Sequence, residues 1–145
     1  MSKKKTIRFE IVTPERIVLK EDITQVTVPT RDGEITVLPK HIPLISILKP
    51  GVIEAKKEDD ALEVMSVSGG FIEVLRDKVI ILADTAERAE EIDIDRAEEA
   101  RKRAEETKKN IINKDDIRFA NLSARMEVEL ARTKAVKRWK RIKSI

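Results

Sequence analysis

Cysteine and tyrosine are absent from this sequence, and histidine and tryptophan occur once each. Without cysteine there is no disulfide framework and no thiolate metal site. His41, as the only imidazole, cannot build a histidine-rich metal centre or complete a catalytic triad. Aromatic residues make up 3% of the chain, too few for a large aromatic core or a base-stacking platform. No run approaches the roughly 20 apolar residues that a membrane-crossing helix needs. Any membrane association is therefore expected through a partner. The basic opening Met1-Ser2-Lys3-Lys4-Lys5 leads into strand-like alternation rather than the apolar stretch of a signal peptide. No phosphate loop of the G-x-x-x-x-G-K-S/T type occurs, and no nucleophile–base arrangement is visible. The chain is not expected to be an enzyme, and no catalytic or metal-binding residue is assigned.

The 145 residues suffice for one ordinary domain, or for a small domain with an appendage. Apolar residues at 41% can form a core, while charged residues at 39% far exceed the roughly 25% of typical soluble domains. The net charge is only +3, so its placement carries more information than its total.

From Thr6 to about Ala83 the sequence has period two. Ile7, Phe9 and Ile11 alternate with Arg8 and Glu10, which puts one face inward and one in water. Short runs follow at 16–20, 24–28, 34–38, 44–48, 52–56, 62–68, 71–75 and 78–82. The unbroken apolar run 79–82 predicts a strand buried on both faces. Asp32-Gly33, Pro50-Gly51, Asp59-Asp60, Gly69-Gly70 and Arg76-Asp77 punctuate these runs as turns. Many short strands without an intervening helix predict an antiparallel sandwich or barrel.

Near Asp84 the pattern changes. From there on, proline and glycine are absent and Glu, Lys, Arg and Ala dominate, a helix-forming composition. Asp93 is placed to cap a first helix running to Lys109, and Asp115 or Asp116 a second. The expected fold is thus β and α in separate domains: an antiparallel β-sandwich over 1–86, then a helical hairpin over 87–145. The first helix carries a stripe of Ile94, Ala97, Ala100 and Ala104. The second carries Ile117, Ala120, Ala124, Val128, Ala131, Ala135 and Trp139. Alanine stripes bury little area, so at about 25 cal/mol per Å² docking of each helix contributes only a few kcal/mol. A hairpin so lightly held is expected to have more than one arrangement of similar free energy.

The second helix is strongly basic. Arg118, Arg125, Arg132, Lys134, Lys137, Arg138, Lys140, Arg141 and Lys143 are set against only Glu127 and Glu129 within it. Such a face is either a solvated cationic helix end or a docking surface for an acidic partner. Nucleic acid would also satisfy the charge, which gives an alternative reading as a nucleic-acid-binding adaptor. The β-half offers no aromatic platform or basic groove for it, so no nucleic-acid partner is expected.

The stretch Asp32-Gly33-Glu34-Ile35-Thr36-Val37-Leu38-Pro39-Lys40-His41-Ile42-Pro43-Leu44 resembles a signature of the epsilon subunits of F-type rotary ATP synthases. Ser68-Gly69-Gly70-Phe71-Ile72-Glu73-Val74 resembles a second signature of that family, and Leu82-Ala83-Asp84-Thr85-Ala86-Glu87 the exit from its sheet. The resemblance covers essentially the whole chain. It implies a ten-stranded β-sandwich bound to the gamma subunit and the c-subunit ring, and a two-helix C-terminal domain that reaches the alpha and beta subunits. It further implies a non-catalytic central-stalk role in ion-driven ATP synthesis, inhibition of ATP hydrolysis by the helices, and a peripheral place on the cytoplasmic side of a bacterial cell membrane. Thr36 departs from the glycine of many relatives.

Carried over position by position, Glu34 is a contact to the ring, with a solvated turn carboxylate as the plain reading. His41 is a partner-contact position, and as a side chain it is expected to order its loop. Arg125, Arg132, Lys134 and Arg138 are contacts to acidic partners. Ile92-Asp93-Ile94-Asp95-Arg96-Ala97 is similar to a regulatory ATP-binding motif of some members, so Glu87, Ile92, Asp93, Arg96, Arg103 and Arg132 form a candidate ATP site, with or without Mg. No cofactor is required by this reading. A carboxylate can accept from adenine or ribose, and arginines can clamp phosphates. The plain alternatives are a helix cap for Asp93 and an intrahelical ion pair for Arg96. The family pattern has two second-helix arginines four apart, and Val128 stands where the partner of Arg132 is expected.

Overall fold

The computed structural model describes residues 4–111 and 117–144. Among the described residues, nine strands are followed by two long helices: β1 (Ile7–Val12), β2 (Ile17–Thr30), β3 (Gly33–Val37), β4 (Leu44–Leu48), β5 (Gly51–Lys57), β6 (Leu62–Val67), β7 (Gly70–Val74), β8 (Lys78–Ala83), β9 (Ala86–Arg88), α1 (Ile94–Lys109) and α2 (Ile117–Lys143); the resemblance implies ten strands. A single 3₁₀ turn, Ala89–Glu91, joins the two halves. The order of neighbouring strands is β1-β8-β7-β4-β2-β5-β6-β9, with β3 beside β2 and β1 also paired to β2. All pairings are antiparallel except β1–β8, which runs parallel.

The alternation in β1 works as expected, with Ile7, Phe9 and Ile11 buried and their neighbours half-buried. They join Val26, Val28, Ile53, Ile72, Val79 and Ile81 in one core that includes no helical residue. All five turn pairs fall at strand junctions, with Gly33, Gly51 and Gly70 opening β3, β5 and β7. Gly69 and Gly70 show why glycine is needed: their φ values are +123° and +136°, and a Cβ on Gly70 would collide with the Leu82 carbonyl oxygen.

Two strand expectations need correction. The runs 16–20 and 24–28 are one long strand, β2. Nothing between them forms a turn; the chain bends instead at a register shift between Ile23 and Gln25. This bend lets β2 pair with β1 at one end and with β3 and β5 at the other. The run 79–82 is not buried on both faces either. Val79 and Ile81 are in the core, but Leu82 on the opposite face is 54% exposed. Thr36, the departure from the family's glycine, sits opposite Thr27, and the two hydroxyls are 2.8 Å apart.

Asp93 caps α1, its carboxylate accepting from the Arg96 amide at 3.2 Å. The expected cap at Asp115 or Asp116 lies outside the described residues. The α1 stripe is inward as expected, with Ala97 and Ala104 buried. The α2 stripe is buried only in its second half. Ala131 and Ala135 are covered while Ile117 is 76% exposed, because α2 meets the sandwich, at β5 and β6, along its C-terminal portion. A small second core forms there from Val64, Ala89, Ile92, Ala135 and Val136, with Val52, Ile94, Trp139 and Ile142 packed against it.

Candidate functional site

The candidate residues lie on the hairpin seam, between the two helices, and on the sandwich surface. At the seam, Glu54 on β5 is opposite Val64 on β6, and Ser66 on β6 is opposite Glu87 on β9. Directly paired residues share a face, as do residues two apart in one strand. Glu54, Val64, Ser66 and Glu87 therefore all face the helices. Arg132 forks onto Glu87, with Nε donating at 2.7 Å and Nη2 at 3.3 Å, and its Nη1 donates to Glu129 at 3.0 Å. Arg138 forks onto Glu54 at 3.0 and 3.1 Å. Burial works against the charge of Arg132, but Glu87 and Glu129 outweigh it and its pKa is raised. The hydrogen bonds and charge of Glu54 likewise raise that of Arg138.

Part of the basic charge on α2 is thus matched within the chain. Glu54 and Glu87 of the sheet face Arg138 and Arg132, and Glu98 of α1 lies 3.9 Å from Lys137. The sequence marked Glu87 for another reason and did not mark Glu54, because a carboxylate paired across 84 residues leaves no local pattern.

The proposed nucleotide residues do not converge on one point. Glu87 and Arg132 line a cleft of about 480 Å³ between α2 and the sandwich, together with Arg16, Ser68, Asp84 and Glu129. Arg103 and Arg125 line a separate cleft of about 420 Å³ between the helices, with Thr107 and Leu122. Ile92 is buried in the second core. Asp93 is engaged as the helix cap, and Arg96 makes no ion pair among the described residues.

Glu34 is an exposed strand residue rather than a turn residue. It lies beside α2, lining a shallow cleft with Glu54, Lys134 and Arg138. His41 orders its loop: its amide donates to the Leu38 carbonyl, and its Nδ1 is 2.6 Å from the Ile42 carbonyl oxygen. That loop presents Leu38 and Ile42 to solvent, at 53% and 72% exposure.

The outer face of β4, β7 and β8 went unmarked in the sequence. Ile47 pairs with Phe71 and Phe71 with Leu82, forming one cross-strand row. Beside it Ile45, Glu73 and Ile80 form a second row. Ile45, Ile47, Phe71 and Leu82 are 74%, 42%, 53% and 54% exposed. A contiguous apolar patch of this kind marks an interaction surface. Its signal was the run Leu44-Ile45-Ser46-Ile47-Leu48, apolar in both phases, together with 79–82.

Residues 6–89 match the family described as ATP synthase, Delta/Epsilon chain, beta-sandwich domain. An ATP synthase epsilon chain of Chloroflexus aggregans is 43% identical over 95% of this chain and 99% of its own length. The chain belongs to the ATP synthase epsilon-chain family. Another epsilon chain, from Pelotomaculum thermopropionicum, is 52% identical over 70% of this chain and 75% of its own. The fold matches a chain in the cryo-EM structure of the Euglena gracilis mitochondrial ATP synthase, OSCP/F1/c-ring in rotational state 1. The TM-score is 0.80 at 24% identity, covering 90% of this chain and 81% of that one. Membership makes this a non-catalytic subunit of a membrane-associated complex. No helix among the described residues is long and apolar enough to cross a membrane itself. Neither the family nor the neighbours support the nucleic-acid alternative.

Proposed function

We propose that the two halves of this central-stalk subunit divide its work, the sandwich holding it on the rotor and the hairpin restraining ATP hydrolysis. The observation that carries the reading is the split core. The β-domain packs around its own interior, and the helices add only a small satellite cluster. A unit of this kind can shed its helices without losing its body.

The outer patch of Ile45, Ile47, Phe71 and Leu82 is the surface for the gamma subunit. It is apolar and borne on rigid strands, as an interface that transmits torque requires. The loop carrying Leu38, His41 and Ile42 faces the c ring, with Glu34 as a further contact. When released, the arginines and lysines of α2 meet acidic segments of the alpha and beta subunits. This places the chain peripherally, on the cytoplasmic side of a bacterial cell membrane. A regulatory ATP would favour the docked hairpin. Glu87 already holds Arg132 in that form, so phosphates reaching Arg132 must compete with a bidentate carboxylate.

Binding of the full chain to purified gamma subunit tests the assignment. We expect a stable complex with the sandwich alone or with the full chain. No complex from either would overturn it.

A further inference from the structure

The forks at the seam reach the strands on the two sides of β6. Ala135, fully buried, marks the centre of the face that α2 turns to the sheet. Arg132 and Arg138 stand three residues before and after it, so at 3.6 residues per turn they project about 60° to either side. Beneath them, β6 is flanked by β5 and β9. Val64 of β6 packs against Ala135 and Val136 in the second core, while Glu54 rises from one flank and Glu87 from the other. The helix thus packs over β5 and β6, with one bidentate ion pair to the strand on each flank of β6.

We infer that Arg132 and Arg138 form a two-sided clasp that fixes both the roll and the register of the docked hairpin. The apolar face that α2 turns to the sheet is small, Ala135 and Val136 with Trp139 and Ile142 beside them, and by itself discriminates only weakly between neighbouring registers. The clasp sharpens that choice. Sliding α2 by three or four residues would bring to the two carboxylates Val128 with Lys134, Glu129 with Ala135, Ala135 with Arg141, or Val136 with Ile142. None of these offers two guanidinium groups. Rolling the helix toward one carboxylate would withdraw the arginine from the other. Arginine's planar fork suits this role, since a lysine in its place offers a single point charge. The inference rests on reading the hairpin as a mobile arm and adds what closes it: paired charges on opposite flanks, open to competition by anions and by salt.

The chain supplies its own reporter. Trp139, the only tryptophan, packs against the second core, so its fluorescence follows docking. In the isolated full chain, Glu54→Arg or Arg138→Glu should raise the released fraction roughly fivefold, the upper end for a partly exposed pair, and red-shift Trp139 emission. Glu87→Gln should do the same from the other flank. The double reversal Glu54→Arg/Arg138→Glu should bring emission back toward the parent value, and Arg138→Lys should not match it. The β-domain melting transition, followed by circular dichroism, should stay in place throughout, which separates release from misfolding. Single reversals with parent-like emission would overturn the clasp, as would a double reversal no better than either single. The assay needs no other subunit. A failed clasp therefore leaves the hydrolysis role of the hairpin standing, and a hairpin without effect on hydrolysis leaves the clasp standing.

Discussion

Replacing Phe71 by alanine separates assembly from folding. The ring is 53% exposed and lies in the middle of the Ile47–Phe71–Leu82 row. In the free chain its loss removes surface rather than core, so the melting temperature should move by only about 2 °C, as for a change within 0.5 kcal/mol. In the proposed complex with gamma the same ring is buried. Covering the exposed half of a residue with roughly 200 Å² of surface removes on the order of 100 Å² from water. At about 25 cal/mol per Å² this is worth about 2.5 kcal/mol, or a loss in affinity of nearly two orders of magnitude. The assay is calorimetric titration of gamma with parent chain and variant, beside thermal unfolding of each alone. A variant that binds gamma with undiminished affinity would refute the assignment of this face.

Other expectations follow from single positions. Gly70→Ala should destabilise the sandwich by about 3 kcal/mol or more, because a Cβ there meets backbone at a strained φ; thermal melting checks this. Phe9→Ala, at a core position with 0% exposure, should cost about 3–5 kcal/mol in chemical denaturation. Asp93→Ala should lose about 1 kcal/mol of helix stability with its cap and lower the hairpin's helicity by circular dichroism. Titration with MgATP and ATP should show binding that Asp93→Ala and Arg96→Ala each weaken. A flat trace for the parent chain removes the nucleotide role and spares the stalk assignment.

The elements that local chemistry controls were readable from sequence. Turn pairs such as Asp32-Gly33 and Gly69-Gly70, the alternation of Ile7, Phe9 and Ile11, and the Asp93 cap each act within a few residues. Where the outcome depended on distant partners, the sequence was ambiguous. Glu21 and Asp22 look like an interruption, yet they lie within one bent strand because β1 and β5 both pair with it. Residues 79–82 are apolar on both faces, and sequence cannot distinguish a second core layer from a face awaiting a partner. The same limit hid Glu54, whose role exists only once α2 has folded back across the sheet. It also concealed that Glu87 and Arg132 would line one cleft and Arg103 another.

The most direct test of the division of labour is ATP hydrolysis by the reconstituted complex carrying either the full chain or one ending before Asp93. The shortened chain should assemble normally, since its core is self-contained, and hydrolysis should rise. Equal hydrolysis with the two chains, across ATP and ADP conditions, would contradict the account.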